Sequence, residues 1–237
     1  MAGPIVPHLS YPSMRSLLLS FLLLPLVASA QPAIGVKAGL NVSNVYGADA
    51  DELSQEGLDK SAVLGFVGGL TLDLPLSPSF GIRTEALYSQ KGFKVSGDES
   101  FEGEQFELDV DYSVDFLEIP VLARVAVPVG PFAEAGILLG PAVAFKVNES
   151  IDFDARINGE PIPGIDDDFI DADGEDLFES FDLGGVLGAE YGSGPFAVDL
   201  RYTYGFLDAN RNVEDDPSAP TLRHGVFSVT GAYRFGR

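Results

Sequence analysis

Chemistry needs histidines, cysteines, paired carboxylates or cations at working distances, and this chain offers few of them. There is no cysteine, so no thiol nucleophile, thiolate metal site or disulfide framework. Beyond the first thirty residues the one histidine is His224, flanked by Arg223 and Gly225. Beyond residue 30 no His-x-Ser pair occurs to set up general base and nucleophile. His224, at a loop–strand junction, reads as a polar surface residue, and no enzyme activity is expected. The densest carboxylates lie in GIDDDFIDADGEDLFE (164–179): Asp166, Asp167, Asp168, Asp171, Asp173, Glu175 and Asp176. Close carboxylate oxygens suit Ca²⁺. An EF-hand register fails, because placing Gly174 sixth puts Phe169 first and Ser180 twelfth. The segment is therefore read as a possible weak divalent-cation loop, with no confident metal site and no cofactor.

A better-defined set comprises Lys37, Asp73, Arg83, Glu85, Glu118, Arg124, Glu134, Asp182, Glu190, Asp199, Arg201 and Arg234. Each falls in a stretch with period-two alternation, always on the face opposite the apolar residues. With Lys91 and Lys146 this face carries acids and bases in equal number. The whole chain does not: it has 36 Asp+Glu against 14 Lys+Arg, a net charge of −22. The remaining acids fall almost entirely in four long connections. A face open to the same water as those connections should share their bias. A balanced face points to charges that neutralise one another in a confined space. Such a strongly acidic chain is excluded as a nucleic-acid binder. Acidic, Lys-poor connections also fit a high-salt habitat.

The elements that hold these residues read as eight strands, near 34–43, 64–74, 80–91, 116–127, 133–147, 181–191, 196–206 and 226–235. Short Pro/Gly turns, PLSPS (75–79), PVGPF (128–132) and GSGP (192–195), alternate with long connections at 44–63, 92–115, 148–180 and 207–225. Strict alternation of short and long is the habit of an up-and-down barrel in an outer membrane: short periplasmic turns, long extracellular loops. Greek-key crossings give a sandwich no reason to alternate. Glycines gather on the charged face, among them Gly35, Gly39, Gly65, Gly69, Gly136, Gly140, Gly184 and Gly188. A solvent face gains nothing from them, whereas a narrow lumen needs them. The expectation is an all-β, eight-stranded antiparallel transmembrane barrel with its apolar face toward outer-membrane lipid. Its charged lumen is either a packed interior or a gated plug. A soluble secreted β-sandwich is the weaker alternative.

Residues 1–30 read as a secretory signal peptide: Arg15, the apolar LLLSFLLLPLV (17–27), then Ala28-Ser29-Ala30. Met14 is a possible true start, and residues 31–237 form a single barrel domain.

The segments GVKAGLNVSNV (35–45), GIRTEALYSQKGF (81–93), FLEIPVLARV (116–125), GPFAEAGILLGP (130–141) and VLGAEYGSGPFAVDLRYTYGF (186–206) resemble, in order, the PorT-like outer-membrane β-barrel family of Bacteroidota and relatives. The resemblance implies an eight-stranded barrel, generally without known activity. The family's named member takes part in type IX secretion, which implies an alternative role as a component of a secretion or envelope machine with an envelope protein partner. The terminal Phe227, Val229, Gly231, Tyr233 and Phe235 resemble the assembly signal that such barrels present to their insertion machinery, departing from it by ending in Gly236-Arg237.

Overall fold

The structure is a computed structural model that describes residues 31–46, 58–101, 103–162, 179–207 and 223–236. Nine strands account for most of them: β1 Ala33–Tyr46, β2 Leu58–Pro75, β3 Phe80–Phe101, β4 Glu104–Pro128, β5 Ala133–Ile157, β6 Glu160–Pro161, β7 Phe181–Ser193, β8 Phe196–Gly205 and β9 Arg223–Arg234. Every pairing is antiparallel. The order β4-β3-β2-β1-β9-β8-β7-β5 closes on itself through a β4–β5 pairing, giving a ring of eight with β6 as a two-residue return on β5. Strands β1 and β9 seal the ring from Gly35↔Arg234 to Tyr46↔Arg223.

Period two divides the wall as the sequence implies. Leu70 is 57% exposed and Val121 46%, whereas Arg83 and Asp199 are 2% and 1% exposed. This inversion, apolar out and charged in, excludes the soluble sandwich, in which Leu70 and Val121 would pack against a second sheet. The outward apolar residues form a belt with aromatic rims. At one rim Phe145 meets Phe181 and Tyr204 meets Phe206, with ring centroids 5.5 and 5.7 Å apart. At the other, Tyr233 lies 5.3 Å from Phe196 and 5.2 Å from Phe235.

Close packing inside the ring requires glycine. A Cβ on Gly39 would run into the carbonyl oxygen of Val229, and its nearest other neighbour would be the Thr230 Cα at 2.6 Å. Both obstacles are backbone of the adjacent strand, which cannot swing away.

The short turns lie where expected, at 76–79, 129–132 and 194–195. The long connections differ. Residues 92–101 and 104–115 are not a loop but the continuation of β3 and β4, paired from Gly92↔Ser113 to Phe101↔Glu104. Likewise 148–157 extends β5 along β4. The reason is visible in the residues: Phe93 and Val95, then Phe106, Leu108, Val110, Tyr112 and Val114, keep period two, with charged or hydroxyl residues in the alternate places. β2, β3, β4 and β5 therefore rise above the ring as an open sheet. Two irregularities mark the level of departure. One lies in β2 between Ala62 and Val67, the other in β5 where Val147 is skipped between Asn148↔Asp115 and Lys146↔Phe116. Bulges of this kind bend and re-aim strands at barrel rims.

Candidate functional site: the charged lumen

The interior side chains fall into layers along the barrel axis. Nearest the short turns, three carboxylates meet three guanidiniums. Arg83 donates to both oxygens of Asp73 through Nε (2.7 Å) and Nη2 (3.2 Å), and through Nη1 to Glu190 at 2.5 Å. Arg124 donates through Nη2 to Glu134 at 2.6 Å and to Glu190 at 2.7 Å. Arg234 pairs with Glu134 at 2.8 Å and with Glu190 at 2.6 Å. Residues from β2, β3, β4, β5, β7 and β9 thus share one neutral cluster.

One layer further in, Lys37, Glu85, Asp199 and Arg201 form a closed quartet. The Lys37 ammonium donates to Glu85 at 2.9 Å and to Asp199 at 2.6 Å. Arg201 donates to Glu85 at 2.8 Å and to Asp199 at 2.6 Å. Arg83 Nη1 lies 3.8 Å from Asp199 and links the two layers. Burying ions costs several kcal/mol each by desolvation, so charges persist here because each lies within ion-pair distance of opposite partners.

The next layer is uncharged. Asn41 Nδ2 donates to Ser89 Oγ at 2.9 Å, and Ser228 Oγ donates to Asn41 Oδ1 at 2.7 Å. Above it, the Lys91 ammonium lies 3.1 Å from Glu118 and 4.0 Å from Asp182, over the Phe116 ring at 4.8 Å. His224 also faces inward here, edge-on to Phe116 at 5.9 Å, and is buried. This corrects its reading as a surface residue. Alternation from Val226, Ser228 and Thr230 back through His224 carries the lumen phase, and that signal was available in the sequence. An apolar patch of Leu122, Leu138, Ala142 and Val186 fills one wall of the lumen.

The structure thus brings all twelve of the singled-out charged residues to one interior. Lys146 instead points to Glu149 at 2.6 Å, at the foot of the open sheet. Phe227, Val229, Gly231, Tyr233 and Phe235 face outward along the last strand, and the Phe235 N–H donates to the Ile34 carbonyl at 2.7 Å. Asp166, Asp167, Asp168, Asp171, Asp173, Glu175 and Asp176, and the signal-peptide residues, lie outside the described residues. Among the described residues no group of three or more His, Cys, Asp or Glu is arranged to hold a metal ion.

A cavity of about 10 Å³ lies among Lys37, Ser89, Glu118, Arg201, Ser228 and Thr230. That is about the room of one water molecule.

Residues 29–210 match the family model described as outer membrane protein beta-barrel domain. The chain belongs to this family. As a member of this barrel family it is a protein of the bacterial outer membrane, its apolar belt in lipid. A search of curated proteins finds no match. Solved structures similar to it include Ail, the attachment invasion locus protein of Yersinia pestis, at 13% identity and TM-score 0.40, covering 86% of this chain and 99% of that one. OprG of Pseudomonas aeruginosa matches at 15% identity and TM-score 0.41, over 88% and 98% of the respective chains. Neisserial surface protein A matches at 13% and 0.37, over 86% and 99%.

Proposed function

We propose that this barrel is a non-enzymatic surface protein whose lumen is a charge-paired plug and whose acidic exterior serves structural or contact roles. The observation that supports this reading is the ion-paired interior. Two successive layers of buried ion pairs span the lumen, joining β3 to β7 through Arg83 and Glu190 and β3 to β8 through Glu85 and Arg201, and the cavity beyond the second layer, among Lys37, Ser89, Glu118 and Thr230, has room for about one water. Eight strands leave barely enough diameter for side chains. Purified protein in planar bilayers is expected to show no steady conductance, and reproducible porin-sized steps would refute the plug.

The resemblance to PorT-like barrels favours a second reading, a component of a secretion or envelope machine. That role requires stable protein partners. A pull-down from detergent-solubilised outer membranes should then recover them in fixed ratio, and their absence leaves the first reading.

A further inference from the structure

Above the ring, Asn148–Asp154 of β5 pair with β4 on one side, from Asn148↔Asp115 to Asp154↔Asp109. On the other side no described residue pairs with them. β7 stops at Phe145 and β6 begins opposite Arg156. Only the ends of the gap are bridged, by Ile162 N–H to the Ala155 carbonyl and Lys146 N–H to the Ser180 carbonyl. Among the described residues this is an open sheet edge outside the membrane, with backbone donors and acceptors available for one more strand.

The outward face beside that edge is unusually acidic. Asp111 lies directly opposite Asp152, and Asp109 directly opposite Asp154. Like charges in such positions repel. Lys94 offsets the β4 pair, reaching Asp111 at 3.2 Å and Asp109 at 3.6 Å. Arg156 holds Asp154 at 2.7 Å. Asp152, exposed and next to the edge, has no cationic partner among the described residues.

Charge sorts the occupants. A second copy pairing edge to edge would set Asp152 and Asp154 against their own kind. The chain's own residues 163–178 contain seven acids and no base, so they meet the same repulsion. A foreign strand with Lys or Arg at every second position would place them over Asp152 and Asp154. Its intervening side chains would fall on the side of Ile151 and Phe153, where apolar residues suit.

We infer that the β5 edge, 148–154, is a docking site for an extended segment of another protein that alternates basic and apolar residues and adds as a strand. This rests on the reading of the exterior as a contact surface.

The test uses the full chain in zwitterionic lipid nanodiscs and two labelled octapeptides of one composition: valine and lysine alternating, or four valines followed by four lysines. The alternating peptide should bind at least tenfold tighter and slow amide hydrogen exchange at 148–154. Asp152→Asn with Asp154→Asn should weaken it about tenfold, the sum of two exposed ion pairs. Equal affinity for both peptides, or no protection at the edge, overturns the proposal. So does binding that appears only when 163–178 is replaced by a Gly/Ser linker, because the chain's own segment would then cover the edge. Thiol labelling of Ser100→Cys on intact cells separates the two levels. Labelling without peptide binding removes the docking site alone, and no labelling removes the surface reading with it.

Discussion

Lys37 illustrates what each interior charge does. Its ammonium bridges Glu85 and Asp199, and Arg201 bridges the same two carboxylates. Lys37→Met leaves two buried carboxylates facing one guanidinium. Breaking a buried set this way typically costs about 3–5 kcal/mol. The urea midpoint of the barrel in lipid vesicles should fall accordingly. Adding Asp199→Asn should recover much of the loss, because Glu85 and Arg201 remain as a neutral pair. Arg156, exposed on the open sheet, is the control: Arg156→Ala should leave the midpoint unchanged. Gly39 makes a steric prediction at the same scale. Gly39→Ala forces its methyl into the backbone of β9, an overpacking expected to cost about 1–3 kcal/mol, read in the same urea titration.

At the scale of elements, the open sheet is separable from the ring beneath it. Lys94 and Asp111 are register partners, so an Asn-Gly turn can replace residues 95–110 and rejoin β3 to β4 in phase. Every ring pairing survives that change. The shortened protein is therefore expected to insert and to keep its heat-modifiable migration on gels, while losing the contact surface. The sheet's charges respond to acid. The hydrogen bond from Arg156 holds the Asp154 carboxyl below its ordinary value of 3.8. A depressed carboxyl contributes its stabilisation above the unfolded-state value and loses it as pH falls through the folded one. That pair is therefore complete above about pH 4 and fades only in stronger acid. An NMR titration should find the Asp154 midpoint returning toward 3.8 in Arg156→Gln.

These elements also show what was legible beforehand. The ring strands were, because one face, rich in Leu, Val, Ile and aromatic residues, carries no charge and Pro/Gly turns punctuate them. The rise of β3, β4 and β5 was not, although Phe106, Leu108, Val110, Tyr112 and Val114 alternate as regularly as any ring strand. The places between them hold Glu107, Asp109 and Asp111, and that acidic composition outweighed the period. Charge partners were legible only as a balanced set. Which acid meets which base depends on strand register around the ring, so that Arg83 reaches Glu190 across the lumen although they lie 107 residues apart.

For the molecule as a whole, closure is the governing fact. A closed antiparallel ring leaves no open strand edge in lipid, so unheated and heated samples should migrate differently in SDS gels. Export is the other expectation at this scale: the N-terminus of the membrane-extracted protein, read by mass spectrometry, should be Gln31.

The interior pairs also bear on how the cylinder comes to exist. Lys37 belongs to β1, Glu85 to β3, Asp199 and Arg201 to β8, and Arg234 to β9. A half-built wall, lacking its last two strands, would leave Lys37 and Glu85 with only each other, and Glu190 with Arg83 and Arg124 but without Arg234. Each set then keeps part of its pairing and lacks the partners that close it. The final hairpin therefore completes the electrostatics in the same event that completes the wall.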